Sequence, residues 1–242
     1  MIIFIMLTAH FLADFTFQSA KMAQKKLVDF KFLLYHALIY AGIFLAGIFP
    51  FERFTRAIFP YIIIICSHFL IDWIRTRIEK KYNSKPVIFA SFIVDQILHT
   101  SIIAALYYAF DLSDGTTSLS DHLENSQYFN RFVILLLIFV ILWDAAAVFI
   151  KKLFAYIITE NSGDQDDSDP QIGRIIGKLE RIIVSILILC NQFGAIGFVL
   201  TAKSIARYKQ LEDKKFAEKY LLGTLTSVLF AFITTIVLKK FL

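Results

Sequence analysis

The chain has 242 residues, of which 57% are hydrophobic and only 19% carry a charge. Soluble domains ordinarily contain about 25% charged residues, so the composition excludes a soluble globular domain, a disordered chain and a disulfide scaffold. The formal net charge of +5 does not indicate nucleic acid, because the basic residues lie in short loops between apolar runs and act as topology signals. We expect an all-α polytopic membrane protein that contacts membrane lipid and binds no nucleic acid.

Apolar segments follow one another along the whole chain. Seven of them have lengths typical of membrane-spanning helices: 2–18, 32–49, 58–77, 87–109, 132–156, 180–202 and 221–238. The first lacks a basic start, so we interpret it as a retained membrane helix and not as a cleaved signal. The pattern predicts a four-helix membrane bundle over 1–110, an acidic connecting loop over 111–131, and a three-helix membrane region over 132–242.

The basic loops favour an external N-terminus and an internal C-terminus in a bacterial inner membrane, by the positive-inside rule. The basic stretch 203–219 conflicts with this orientation. Either it forms an amphipathic helix on the membrane surface, or a neighbouring segment does not span. The acidic stretch 160–171 lacks the Gly and Glu positions of a calcium-binding loop, so we interpret it as a solvated loop.

The first half of the chain contains an internal repeat. HFLAD at 10–14 recurs as HFLID at 68–72, and each copy is followed by a basic loop and a second helix with polar residues. Because the first and third helices run in the same direction, the two hairpins should be related by rotation about the membrane normal. His36 corresponds only approximately to Asp95, and His99 has no ionisable counterpart. We therefore expect the second hairpin to contribute more ligands than the first.

Histidine and aspartate recur at four-residue spacing inside these segments, as His10/Asp14, His68/Asp72 and Asp95/His99. This spacing places both members of a pair on one helix face. Ionisable residues in hydrocarbon are costly and normally face a bundle interior. Their sequence positions also put all three pairs and His36 at one depth, near the cytoplasmic face.

Imidazole nitrogen and carboxylate oxygen are the ligands of zinc, and also of manganese and non-haem iron. The pattern predicts a divalent metal, most simply zinc, with these ligands: His10, Asp14, His68, Asp72 and His99. His36 and Asp95 would serve as a general base, as a further ligand or as orienting groups. The alternative is a metal-free His–Asp network that joins the helices by hydrogen bonds.

Basic residues near the ends of the segments are candidates for binding an anionic substrate headgroup. In the first half they are Lys21, Arg75 and Arg77, which should stand at the mouth of the site. In the second half they are Arg174, Arg181, Lys203 and Arg207, where the alternative is interfacial snorkelling of long cationic side chains. Asp144 interrupts an apolar run and needs a partner, either the metal centre or a basic residue of the sixth segment.

These motifs resemble a known family. The run HFLADFTFQSAKMAQKK, then His36, HFLIDWIR and DQILHT are similar to bacterial membrane proteins of the domain-of-unknown-function 3307 family, over about residues 4–105. The stretches GRIIGKLER, KSIARYKQL and EKYLLGTLTS resemble the C-terminal extension of longer members. The resemblance implies no particular activity. The placement of His and Asp is also similar in pattern to membrane-bound metal-dependent hydrolases.

The residues favour a membrane-embedded, metal-dependent hydrolase that acts on a lipid or a membrane-delivered substrate. The first alternative is a divalent-metal transporter, since HxxxD pairs also suit transient metal binding. Transport needs access from both faces, and the predicted depth near one face favours the enzyme. The second alternative is a non-catalytic scaffold, and a homo-oligomer is compatible with all three.

Overall fold

The computed structural model describes residues 1–112, 117–124, 126–157 and 170–242, and the regular structure in these ranges is helical. The helices are α1 (Ile2–Thr16), α2 (Ala20–Lys25), α3 (Phe30–Ile48), α4 (Phe54–Tyr82), α5 (Lys85–Ala109), α6 (Ser118–Glu124), α7 (Gln127–Ile157), α8 (Pro170–Leu189), α9 (Phe193–Ala206) and α10 (Lys214–Lys239). The all-α prediction is confirmed.

Within the described residues, five helices are long and apolar enough to cross a membrane: α3, α4, α5, α7 and α10. Helices α1 and α9 are apolar but shorter. These lengths confirm the membrane-type helical architecture, while seven spans and the orientation stay predictions. Helix α4 begins at Phe54 and continues through Pro60, so it starts four residues before the predicted segment.

The prediction of one continuous helix over 180–202 is wrong. Helix α8 ends at Leu189 and α9 begins at Phe193. Between them Asn191 has φ 59°, a left-handed conformation that ends a helix and that Asn tolerates better than most residues. Because the chain reverses there, α9 packs back against α8.

The stretch 203–219 is also not one helix. It contains the end of α9, a 3₁₀ turn at Gln210–Glu212 and the start of α10. Asp213 caps α10 by accepting a hydrogen bond from the backbone N–H of Phe216, at 2.7 Å, as N-cap residues do. Residues 160–169 of the acidic stretch 160–171 lie outside the described residues.

The chain forms two compact units, which divide inside α7 between Val140 and Ile141. Unit 1 contains α1 to α6 and the start of α7, and unit 2 contains the middle of α7 with α8, α9 and α10. In unit 1, α1 packs against α3 and α5, and α4 packs against the same two helices. Hence α1 and α4 occupy one diagonal of a four-helix bundle, as a two-fold relation between the hairpins requires. The rotation axis itself stays a prediction.

Two of the apolar helices contain a single π turn, at Leu12–Thr16 in α1 and at Ile141–Ala145 in α7. In α1 the N–H of Phe17 donates to the carbonyl of Leu12 across five residues, at 2.8 Å. Such wide turns inside α-helices are frequent at functional sites. Each of these two turns contains an aspartate, Asp14 in α1 and Asp144 in α7.

Candidate metal centre

The predicted histidines and aspartates of the first half converge inside the bundle of unit 1. Helix α1 supplies His10 and Asp14, α3 supplies His36, α4 supplies His68 and Asp72, and α5 supplies Asp95 and His99. Each of these side chains is at most 7% exposed. The four-residue spacing directs each pair from one helix face toward the bundle axis, so the predicted convergence is what the structure shows.

Four ligand atoms, here called the tetrahedral set, lie close together at the centre: His36 Nε2, His68 Nε2, Asp14 Oδ1 and Asp72 Oδ2. His36 Nε2 is 3.1 Å from His68 Nε2 and 3.3 Å from each of the two carboxylate oxygens. His68 Nε2 is 3.5 Å from Asp14 Oδ1 and 3.7 Å from Asp72 Oδ2. Ligands bound tetrahedrally at 2.0–2.2 Å lie about 3.3–3.6 Å from one another, so each carboxylate oxygen is spaced from the two imidazole nitrogens about as ligands of one zinc ion are.

Asp14 differs from the other carboxylates of the cluster because no lysine or arginine among the described residues forms an ion pair with it. Its Oδ2 accepts a hydrogen bond from Gln96 Nε2 at 3.2 Å, whereas its buried Oδ1 accepts none from a described residue. Buried polar atoms are normally satisfied. A carboxylate oxygen that faces two imidazole nitrogens without a hydrogen bond has the geometry of a metal ligand.

Asp72, in contrast, has a cationic partner. The ammonium of Lys26 lies 2.9 Å from Oδ1 and 2.8 Å from Oδ2, and Lys26 is only 4% exposed. Its position in a basic loop predicts only a topology signal for this lysine. Its long aliphatic stem instead carries the charge from the segment after α2 into the bundle, where it neutralises Asp72.

Arg75 also lies in the cluster and not at its mouth, which corrects the predicted position. Its Nη1 donates to Asp95 Oδ2 at 2.7 Å, and its Nε lies 3.2 Å from Glu79 Oε1. Arg75 therefore holds one oxygen of Asp95, and Gln96 Nε2 donates to the same oxygen at 3.0 Å. Arg75 thus fixes the position of the Asp95 carboxylate.

The other oxygen of Asp95 faces His99. Asp95 Oδ1 and His99 Nε2 lie 3.4 Å apart, and neither makes a hydrogen bond of normal geometry with a described residue. These two residues and Asp14 also have ligand atoms within 4.8 Å of one another. The Asp95–His99 pair is thus available for proton transfer or as part of a second cation site.

His10 is held by two polar side chains that the sequence analysis did not identify. Its Nδ1 lies 3.2 Å from the hydroxyl of Tyr40, and its Nε2 lies 3.3 Å from Gln96 Oε1. His10, Asp14 and His68 also have ligand atoms within 4.8 Å of one another, so His10 can either orient the cluster or bind a metal. Tyr40 also stacks on His68, with ring centroids 3.6 Å apart and planes inclined by 8°, which fixes that imidazole.

Carboxylates outnumber cations in the cluster. Among the described residues, the carboxylates are Asp14, Asp72, Glu79 and Asp95, and the cations are Lys26 and Arg75. With neutral histidines, two negative charges are left uncompensated in a buried region, which is unfavourable. One divalent cation balances this excess.

The remaining predicted residues lie elsewhere. Lys21 and Arg77 are exposed, and the guanidinium of Arg77 stacks over the Trp73 ring at 5.4 Å. His122 is exposed on α6. The second-half residues belong to unit 2: Arg174, Arg181, Lys203 and Arg207.

Unit 2 contains its own partly buried ion pairs. The ammonium of Lys178 lies 2.6 Å from Asp144 Oδ1, which is the basic partner expected for Asp144 from the start of the sixth segment. Lys203 Nζ lies 2.5 Å from Glu180 Oε2. These pairs leave Asp144 with a cation beside it, unlike Asp14.

Comparison with known proteins gives one family and no individual relative. No curated protein and no solved structure matches the chain. The sequence model of a family described as a protein of unknown function, DUF3307, matches residues 2–128. This range includes every member of the tetrahedral set and excludes unit 2. The function of the family is unknown, so the match lends no support to the hydrolase analogy. With more than half of its length matched and its HFLAD and HFLID motifs inside the match, the chain belongs to the DUF3307 family.

Proposed function

We propose that unit 1 binds a divalent metal at the tetrahedral set and uses it to hydrolyse a lipid or another membrane-delivered substrate. The observation that carries the proposal is that each of two carboxylate oxygens lies 3.3–3.7 Å from two imidazole nitrogens that are themselves 3.1 Å apart. With neutral histidines, the described residues of the cluster also contain two more carboxylates than cations, and a divalent ion would balance this excess.

Zinc fits this set best. It accepts imidazole and carboxylate ligands together and favours four of them in a tetrahedron. Manganese prefers an octahedron of oxygen ligands, which would require additional carboxylates close to the set. Iron bound by two histidines and one carboxylate is the nearest alternative.

The four ligands of the set are not equivalent. Asp14, His36 and His68 have no competing cation at the ligand atom, whereas Lys26 already neutralises Asp72. Catalytic zinc sites combine three protein ligands with one exchangeable position. We assign Asp14, His36 and His68 as the permanent ligands and the Asp72 corner as the exchangeable one, which makes His36 a ligand and not a base. Such an ion supplies Lewis acidity toward water and toward a carbonyl or phosphoryl oxygen.

Proton transfer is assigned to the Asp95–His99 pair. Arg75 and Gln96 hold Asp95 Oδ2, so Oδ1 stays directed at His99 Nε2, 3.4 Å away. A pair held in this way accepts a proton from attacking water and returns it to the leaving group. Exposed Lys21 and Arg77 are assigned to the anionic headgroup of the substrate.

The test uses the full-length protein in nanodiscs, loaded with zinc and offered a panel of phospholipid and acyl-ester substrates. Wild type should release product, and His68→Ala should lose at least 99% of the activity. His122→Ala removes the exposed histidine outside the cluster and should retain full activity. Metal-loaded wild type that hydrolyses no member of the panel would contradict the hydrolase.

A divalent-metal transporter is the second candidate, favoured by the burial of the cluster and by Lys26. The Lys26 ammonium and a metal ion would compete for the Asp72 carboxylate. An ion carrier requires such competition so that the bound metal can be released. Zinc flux into proteoliposomes, measured with an entrapped fluorescent indicator, separates the two functions. Flux abolished by His68→Ala establishes transport, and hydrolysis without flux establishes the enzyme. If the chain binds no metal, the non-catalytic scaffold is the remaining function.

A further inference from the structure

Unit 2 contains a cavity of about 580 Å³ that lies outside the family match. Its polar lining is strongly cationic, with six basic side chains and a single acidic one among the described residues. The basic ones are Lys151, Arg174, Arg181, Lys203, Arg207 and Lys219, and the acidic one is Glu180. An excess of cations around one concave surface attracts anions.

The order of the helices explains why these cations meet. Helices α7 to α10 alternate in direction, so the end of α7, the start of α8, the end of α9 and the start of α10 lie together. Lys151 is near the end of α7, Arg174 near the start of α8, Arg207 just after α9 and Lys219 near the start of α10. Basic residues that are far apart in sequence therefore surround one space.

Arg181 provides the fixed element of the cavity. It is only 4% exposed, and its Nε donates to the carbonyl of Leu142, at 2.7 Å, within the π turn of α7. Its Nη1 lies 3.3 Å from Ser227 Oγ. Its Nη2 is buried and has no hydrogen-bond partner among the described residues. A guanidinium held on two sides thus stands in the wall of the cavity with one nitrogen that lacks an acceptor among the described residues.

Lys203 behaves differently from the other cations. Its ammonium is engaged by Glu180 Oε2 at 2.5 Å and donates to Thr224 Oγ1 at 3.0 Å. This pairing accounts for the one acidic residue of the lining. The arginines and the remaining lysines therefore keep an excess of positive charge around the cavity.

The cavity also has an apolar wall, formed by Ala147, Ile150, Phe154 and Ile176. Arginine clusters bind phosphate through paired, charge-assisted hydrogen bonds, and an apolar wall beside them suits an attached acyl chain. We propose that this cavity binds a phosphate group, held by Arg181 at its base and by Arg174 and Arg207 near its rim. A phospholipid headgroup and a free phosphate share this chemistry.

Calorimetry on the full-length protein in maltoside detergent distinguishes the two sources. The probes are dioctanoyl phosphatidic acid, dioctanoyl phosphatidylcholine and inorganic phosphate. Phosphatidic acid should bind at one molecule per chain, and phosphatidylcholine should bind at least tenfold more weakly. If inorganic phosphate competes for the same site, the phosphate group alone is sufficient; if it does not, the ligand is a lipid. Failure of both phosphatidic acid and phosphate to bind overturns the proposal.

A matched pair of charge variants tests the location. Arg174→Gln/Arg207→Gln removes two cations from the lining and should weaken phosphatidic acid binding at least tenfold. Lys209→Gln/Lys214→Gln removes two exposed cations of the same unit that do not line the cavity, and should change the affinity less than threefold. Equal losses in the two double variants would mean non-specific attraction and would reject the site. Arg181→Lys keeps the positive charge but removes the planar guanidinium, and it should weaken the binding of phosphatidic acid. The melting temperature of this variant is the control for folding.

Discussion

Unit 1 and unit 2 use the same local device in opposite ways. Each has an aspartate within a π turn of an apolar helix, Asp14 in α1 and Asp144 in α7. Asp144 is paired with Lys178 at 2.6 Å, whereas Asp14 Oδ1 faces the imidazoles of His36 and His68 at 3.3 and 3.5 Å. The neighbours of each aspartate therefore indicate its role: the lysine beside Asp144 forms an ion pair with it, and the two imidazoles beside Asp14 make Asp14 a candidate ligand.

The polar regions of the two units also differ in net charge. The cluster of unit 1 has more carboxylates than cations, and the cavity of unit 2 has more cations than carboxylates. The first arrangement favours a metal cation and the second an anion. Substitutions that exchange or remove these charges therefore test the difference between the two units.

The largest expected effect comes from removing an imidazole of the tetrahedral set. His68→Ala should weaken zinc binding by at least a thousandfold, because a ligand is lost from a four-coordinate site. Isothermal titration with zinc measures the change. His122→Ala, in which the exposed fifth histidine is removed, should bind zinc as wild type does. Equal affinities in the two variants would place the metal outside the cluster.

Neutralising the two π-turn aspartates should change stability in opposite directions. In metal-free protein, Asp14→Asn should stabilise the fold by about 1–3 kcal/mol, because it removes a buried charge without a cationic partner. Asp144→Asn should destabilise it by about 1–2 kcal/mol, because it leaves the partly exposed Lys178 unpaired. Thermal unfolding in detergent without metal measures both.

If Asp14→Asn and Asp144→Asn change the stability of the fold in the same direction, the expected contrast between the two aspartates is wrong. A destabilising Asp14→Asn would mean that protonated histidines already balance the Asp14 charge. The tetrahedral set would then be a His–Asp hydrogen-bond network, and the difference between the two units would disappear.

Lys26→Met should strengthen zinc binding by about tenfold, which corresponds to about 1.4 kcal/mol. The ammonium competes with the metal for Asp72, and its removal adds one uncompensated negative charge. The same change should lower turnover, since Asp72 would then occupy the exchangeable corner. Lys21→Met removes an exposed lysine near α2 and should leave zinc affinity unchanged. Weaker zinc binding in Lys26→Met would show that the lysine orients Asp72 for the metal.

The smallest effect is expected for Tyr40→Phe. The change removes the hydroxyl that contacts His10 but keeps the ring stacked on His68. A hydrogen bond to an orienting residue is worth about 0.5–1.5 kcal/mol, so zinc affinity should fall less than about tenfold. Tyr35→Phe on the exposed face of α3 should have no effect. A loss as large as that of His68→Ala would make Tyr40 a direct ligand.

Much of unit 1 was predictable because it depends on helix periodicity. Apolar runs located the helices, and the four-residue spacing of His68 and Asp72 identified a shared face that the structure directs to the bundle axis. The helix break at Asn191 was not predictable from hydropathy, because the residues on both sides of it are apolar. It depends on one backbone conformation.

Lys26 and Gln96, which were missed, and Arg75, which was expected at the mouth of the site, share one physical property. Each reaches the centre through a long side chain, so its Cα position does not indicate where its polar end lies. A usable signal existed for Arg75, which is three residues after Asp72 and four before Glu79 on one helix face. No comparable signal existed for Lys26, whose partner is 46 residues away.

The proposed set of metal ligands differs from the one predicted from the sequence because it, too, depends on where side chains reach. The expectation that the second hairpin contributes more ligands stays a prediction; in the proposed tetrahedral set each hairpin gives one histidine and one aspartate. We place His36 in this set because its Nε2 faces both Asp14 and Asp72, although both histidines have amide contacts, His10 with Gln96 and His36 with Gln18. Side-chain partners on neighbouring helices decide between histidines of equal depth, and sequence spacing does not contain them.

The most direct test of the central claim is the metal content of the purified full-length chain. The protein is incubated with equimolar zinc, manganese and iron(II), desalted, and analysed by inductively coupled plasma mass spectrometry. We predict one zinc ion per wild-type chain and less than a tenth of that in His36→Ala/His68→Ala. Wild-type protein that retains no stoichiometric divalent metal, or a double variant that retains as much as wild type, would contradict a metal centre at the tetrahedral set.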